Sequence, residues 1–137
     1  MDRPDALARL SEARSGHLAT VRPDGKPHIV VITFATLDGK IVTAIDHKPK
    51  TTNRLQRLVN IEASPRASFL VDHYDEDWSR VWWVRVDGEA EIWERGDLWS
   101  AAVASLSAKY HQYREHRPDG PVIAISQDQV NSWESTP

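Results

Sequence analysis

"HIVVITFATLDGKIVTAI", residues 28–45, holds two apolar, β-branched runs on either side of Asp38-Gly39. Val, Ile and Thr are stiff at χ1 and pack well on a pleated surface, so 28–36 and 41–45 read as strands. Asp-Gly between two such runs is tight-hairpin chemistry, because Gly accepts the left-handed backbone that the turn needs. The first run is apolar at odd and even positions alike, the pattern of a strand covered on both faces. Just upstream, "HLATV" (17–21) is a further strand-like run, joined through "RPDGKP" (22–27) and its Asp24-Gly25 turn. The spacing predicts three strands in a meander.

Working outward, "PDALARLSEAR" (4–14) predicts a short amphipathic helix with Pro4 near its start and Leu7 and Leu10 on one side, ended at Gly16. A helix is predicted from Thr51 to about residue 59. "RASFLVDHY" (66–74) reads as a strand entered through Pro65, and "DEDWS" (75–79) as an acidic loop. "RVWWVRVDGEAEIWE" (80–94) reads as one long strand with Trp82, Val84, Val86, Ala90 and Ile92 on one face. Gly88 marks a bulge or bend within it, a hairpin at Asp87-Gly88 being the alternative. A second helix spans 97–115, with Leu98, Ala102, Leu106 and Tyr113 in register, and "PVIAIS" (121–126) supplies a sixth strand. Six strands and two or three helices in one small domain suggest a barrel with helices at its ends.

The totals fit that size. A chain of 137 residues suits a single domain, 1–137, with one core, and 40% hydrophobic with 27% charged residues is an ordinary globular balance. A net charge of −3 argues against a general nucleic-acid binder, so any basic site is local. No apolar run is long enough to span a bilayer, and "MDRPDALARL" lacks a signal-peptide pattern, so a cytoplasmic protein without membrane partners is expected. With no cysteine there is neither disulfide nor thiolate chemistry. Six tryptophans in so short a chain point to an aromatic-walled pocket, a subunit contact, or both.

The local basic site lies in "IDHKPKTTNRLQRLVN" (45–60). A helix N-terminus carries partial positive charge and usually attracts acids. Here Lys48, Lys50, Arg54 and Arg57 gather there, and the next acid is Glu62. On extended backbone Lys48 and Lys50 point the same way, with Pro49 stiffening the pair. The hydroxyls of Thr51 and Thr52 and the amide of Asn53 add donors, and the whole suits a phosphate or carboxylate. Taken alone, the same residues also suit a solvated basic helix end.

The wider pattern resembles the flavin and deazaflavin split β-barrel family, related to the pyridoxamine 5'-phosphate oxidases. In that family a basic pair in K-x-K-T-x-N follows the third strand; here it is Lys48, Lys50, Thr51 and Asn53. "SPRASFLVDHYDEDW" (64–78) and "WWVRVDGEAEI" (82–92) resemble the next two strands and their joining loop, and the likeness runs from about Gly16 to Ile125. Residues 54–63, longer than in the simplest members, resemble the actinobacterial branch that depends on coenzyme F420. The resemblance implies a mainly β fold with flanking helices, a split barrel of six or more antiparallel strands, and a homodimer. It implies a tricyclic ring along the second and third strands near Val31, Ile32 and Thr43, with the cofactor phosphate on Lys48 and Lys50. The second subunit's aromatic wall would come from around Trp78 to Trp82.

The expected activity is therefore an oxidoreductase that passes hydride from reduced F420 to a small organic acceptor. FMN is the alternative cofactor, since the two molecules are alike from ring to phosphate. Arg54, Arg57 and Arg14 suit the lactyl and glutamyl carboxylates that continue the F420 tail. A non-catalytic cofactor carrier or sensor is the third reading, because no side chain stands out as a catalytic acid or base.

Other residues weigh less. The six histidines (17, 28, 47, 73, 111, 116) show no metal-ligand spacing, so no metal is expected. His73 and Tyr74 adjoin the expected ring wall and suit proton donation, although a strand-end His capped by water or the acidic loop is the plainer reading. The four acids of "DHYDEDW" lack EF-hand spacing and read as a solvated loop. Trp83, on the polar face of its strand, reads as a subunit contact. Trp133 either folds over a pocket or packs on the core. Trp99, Tyr110 and Tyr113 read as helix packing.

Overall fold

A computed structural model describes residues 1–45 and 55–136. The chain starts with helix α1 (Arg3–Glu12), whose N-cap Asp2 accepts the Asp5 amide at 2.9 Å and whose Ala6 and Leu10 are buried. Strands β1 (Gly16–Val21) and β2 (Pro27–Ile32) form the Asp24-Gly25 hairpin; β3 (Ala35–Leu37) and β4 (Lys40–Ala44) form the Asp38-Gly39 hairpin. Then come helix α2 (Gln56–Ala63), β5 (Arg66–His73), β6 (Trp82–Trp93), helices α3 (Asp97–Lys109) and α4 (His111–Glu115), β7 (Val122–Ser126) and β8 (Gln129–Glu134). Among the described residues there are eight strands, all antiparallel, in the order β2-β1-β5-β6-β7-β4-β3, with β8 on β6. This is the expected split barrel. No described helix is long and apolar enough to cross a membrane.

The expected meander breaks at its middle. Residues 28–36 are not one strand: Thr33 and Phe34 leave the ladder, and β2 and β3 go to opposite ends of the strand order. The reason is Phe34, fully buried against Phe69 with ring centroids 4.6 Å apart. Its amide is held by the Tyr110 hydroxyl at 3.2 Å, a bond from across the molecule that replaces the ladder bond. β2 is therefore an edge strand. Its Ile29 and Val31 are 65% and 67% exposed, so the double covering expected there is absent.

Double covering belongs to β4 and β7 instead. Ile41, Ile45, Ile123 and Ile125 point into the core inside the barrel, with Leu18, Phe34, Phe69, Val84 and Val86. Val42, Ala44, Val122 and Ala124 point the other way, into a second core under Ala102, Val103, Leu106, Tyr110 and Tyr113. Each large side chain so buried contributes roughly 1.5–3 kcal/mol.

Gly88 neither bulges nor turns. β6 pairs with β5 without interruption from Trp82 to Glu89. The bulge lies opposite: Asp87 faces Gln129 and Ala90 faces Ile125, so residues 88 and 89 meet residues 126, 127 and 128. The Ser126 hydroxyl takes the Glu89 amide at 3.0 Å, and a Cβ on Gly88 would overlap the Ser126 carbonyl. Gly88 is thus a point of close backbone approach. Three further expectations are corrected. Helix α2 has Leu55 as its N-cap and runs from Gln56 to Ala63, past the expected end near 59, while the expected start at Thr51 lies outside the described residues. The second helix divides at Tyr110, whose hydroxyl is drawn into the core, and Leu98 is exposed rather than packed. The tail carrying Trp133 is an eighth strand.

Candidate functional site

Alternation along β2, β1, β5, β6 and β8 sends one set of side chains out of the barrel, and the registers align them in rows. One row is Val31, His17, Leu70, Arg85 and Asn131; the next is Ile29, Ala19, Ser68, Asp87 and Gln129. The β2 end of this face is apolar and open. Its middle is polar and tied down: Asp87 accepts the Ser68 hydroxyl at 2.6 Å and the Arg85 guanidinium at 3.2 Å. His17 Nδ1 stands 3.9 Å from Asp72. A shallow cleft of about 480 Å³ runs between Val21, Pro27, Ser68, Asp87 and Gln129.

The predicted site residues are divided among several places. Lys48, Lys50, Thr51, Asn53 and Arg54 lie outside the described residues. Arg57, half-buried, is in the first turn of α2, which carries no acid. Val31 faces outward with Ile29, whereas Ile32 turns into the core. Thr43 is buried, and its hydroxyl donates to the Thr33 carbonyl at 2.7 Å. Of these three, only Val31 presents its side chain on the open face.

Trp78, 70% exposed, lies in a short 3-10 turn (Trp78–Arg80), its indole N–H 3.4 Å from the Tyr74 hydroxyl. Trp82 is half-buried, with the Arg9 guanidinium 5.2 Å from its ring and His73 stacked at 6.2 Å. His73 Nε2 lies 3.8 Å from the Asp75 carboxylate of the acidic loop. Trp83 and Trp133 face one another across β6 and β8, and Trp133 remains largely exposed.

A second cavity, of about 450 Å³, has no counterpart in the sequence reading. Arg14, Thr33, Tyr110, His111, Gln112 and Tyr113 line it. Thr33 and Tyr113 share a hydroxyl–hydroxyl bond of 2.7 Å. The Tyr110 hydroxyl lies 2.8 Å from the Arg14 carbonyl and 3.0 Å from the Phe34 carbonyl, and burial raises its pKa. Behind the wall, Lys109 donates to the Ala13 carbonyl at 2.6 Å and lies 3.9 Å from the Phe34 ring centroid. Burial, aided by the nearby Arg14 charge, lowers the Lys109 pKa from 10.5 to about 8. The sequence marks Tyr110 and Tyr113 as packing residues, which they are, but nothing in it joins them to Arg14 and Thr33.

Known proteins share this fold. A conserved hypothetical protein of Mycobacterium tuberculosis, Rv2991, superposes with a TM-score of 0.80 at 26% identity, covering 98% of this chain and 85% of that one. The heme storage protein HutZ of Vibrio cholerae gives 0.75 at 17% identity over 96% and 93%, a likeness of fold alone. In sequence, the F420H(2)-dependent biliverdin reductase of Mycobacterium tuberculosis (strain CDC 1551 / Oshkosh) is 34% identical over 122 residues, 88% of this chain and 79% of that protein. The family model described as pyridoxamine 5'-phosphate oxidase matches residues 3–134. The chain therefore belongs to the pyridoxamine 5'-phosphate oxidase family of split-barrel oxidoreductases.

Proposed function

We propose that this protein is a cytoplasmic, homodimeric reductase that uses reduced coenzyme F420 to deliver hydride to a small organic acceptor. The observation that carries the reading is the 34% identity over 122 residues to a mycobacterial enzyme whose name states F420H(2) dependence. Bound deazaflavin supplies a two-electron carrier that exchanges hydride and reacts poorly with oxygen, while the protein supplies position and electrostatics.

In this reading Lys48 and Lys50 hold the cofactor phosphate, helped by Thr51 and Asn53, and Arg54 and Arg57 meet the acidic tail. The strands around Val31, Ile32 and Thr43 back the ring. The open apolar strip of Ile29 and Val31 fits such a role, since exposed apolar strand surface calls for a flat ligand or a partner. A second copy covers the rest of that strip, and its Trp78 and Trp82 form the far wall.

Titration of F420 and FMN on one preparation, followed by turnover of reduced F420 with biliverdin as first acceptor, tests this. F420 is expected to bind in preference and to be oxidised faster with protein than without. Preference for FMN moves the assignment to an FMN-dependent oxidoreductase, the alternative favoured by the family's namesake. Tight F420 binding without turnover on a panel of acceptors makes the protein a carrier or sensor.

A further inference from the structure

Arg14 and Lys109 are neighbouring cations with no carboxylate partner among the described residues. Arg14 spends one N–H on the Lys109 carbonyl at 3.1 Å and lays its guanidinium 4.7 Å over the Tyr110 ring. Arg114 reaches the carbonyls of Ser107 and Ala108 at 2.8 and 3.1 Å, so the C-terminal end of α3 is already served by a separate cation. Burial, and after it the nearby Arg14 charge, lowers the Lys109 pKa to about 8. Among the described residues, no acid lines the adjoining cavity. Its polar side chains are a guanidinium, an imidazole, a carboxamide and hydroxyls, and two tyrosine rings complete the wall.

We infer that this cavity receives a carboxylate of the acceptor substrate, with Arg14 as its anchor and Tyr110 and Tyr113 as apolar sides. A guanidinium matches a carboxylate in planar, two-point geometry, and hydroxyl and imidazole donors complete the shell. Assignment to the acceptor rests on the proposed function, in which the ring lies near Thr43. Thr33, in the cavity wall, accepts the Thr43 hydroxyl at 2.7 Å, so the cavity adjoins the strand position expected to back the ring.

The test uses benzoate as probe, benzamide as its neutral isostere, and cofactor-free full-length protein. Benzoate is expected to bind saturably and to raise the Lys109 pKa, read by NMR of its side chain, because a bound anion offsets the Arg14 charge. Benzamide leaves Lys109 unchanged. Arg14→Gln weakens benzoate about tenfold or more, while Arg14→Lys, of matching thermal stability, keeps part of the affinity. A Lys109 signal indifferent to benzoate, or equal binding by Arg14→Gln, overturns the site. Benzoate and F420 occupying the protein together support the acceptor assignment. Competition between them hands the cavity to the cofactor's acidic tail and overturns that assignment. Failure of F420 to bind at all counts against the proposed function alone, since the benzoate arm contains no cofactor.

Discussion

The Thr43 hydroxyl donates to the Thr33 carbonyl at 2.7 Å, tying β4 to the point where β2 ends and β3 has not begun. Carbonyls at such a break have no ladder partner, so a side chain must supply one. Thr43→Val keeps the shape and removes the donor. A loss of about 1 kcal/mol is expected, rising to about 3 if the carbonyl stays dry. Urea denaturation measures it, and an unchanged midpoint means that the bond contributes nothing net.

Gly88→Ala places a methyl group on the Ser126 carbonyl, where two backbones meet and neither side can yield like a flexible side chain. Overpacking of this kind costs about 1–3 kcal/mol, and more where the register of a central strand is at stake. The expected result is a sharply lowered melting temperature. Wild-type stability for Gly88→Ala would falsify the close approach of β6 and β7.

Lys109 sets a pH dependence whose sign follows from its lowered pKa of about 8. Between about 8 and 10.5 the unfolded chain holds a proton on this amine that the folded chain has released, so folded stability rises with pH across that window. Below about 8 both states are charged and the burial penalty is in full force. Above 10, Tyr110, whose pKa is raised, begins to act with the opposite sign. Thermal unfolding of wild type and Lys109→Met from pH 7 to 10 reads the difference. Parallel curves for the two proteins would contradict the shift.

The exposed Ile29 on edge strand β2, beside the Val31 that backs the ring, belongs, in the proposed dimer, to the contact between copies. Ile29→Asp places charge in that contact and is expected to turn a sedimenting dimer into a monomer with an unaltered circular dichroism spectrum. A variant that still sediments as a dimer moves the contact to another face.

Lys50→Ala removes one charge-assisted bond of about 1.5–3 kcal/mol from the proposed phosphate site, so F420 affinity falls by roughly ten- to a hundredfold. Calorimetric titration checks it. Unchanged affinity takes Lys50 out of the site.

Much of the fold was legible from residue order. Both Asp-Gly hairpins, the strand at 66–73, the long strand through Trp82–Trp93 and the helix over 97–109 follow from turn chemistry and local periodicity. So did the family, whose motifs lie in sequence order. The placement of Trp83 and Trp133 across from one another was not, because the last strand is short and mostly polar, with little alternation to announce it.

Sequence by itself determined most of the strand segments, the two Asp-Gly turns, and that one basic run suits an anion. Tertiary structure alone decided that residues 28–36 divide, that double covering belongs to β4 and β7, and that the bulge lies opposite Gly88. It alone brought Arg14, Thr33 and Tyr113 to one cavity. The reason is that periodicity reports only which side chains seek burial along a local axis. Phe34 resolved its own conflict by a contact with Phe69 and a bond from its amide to the Tyr110 hydroxyl, groups 35 and 76 positions away, and no local pattern encodes partners at that distance.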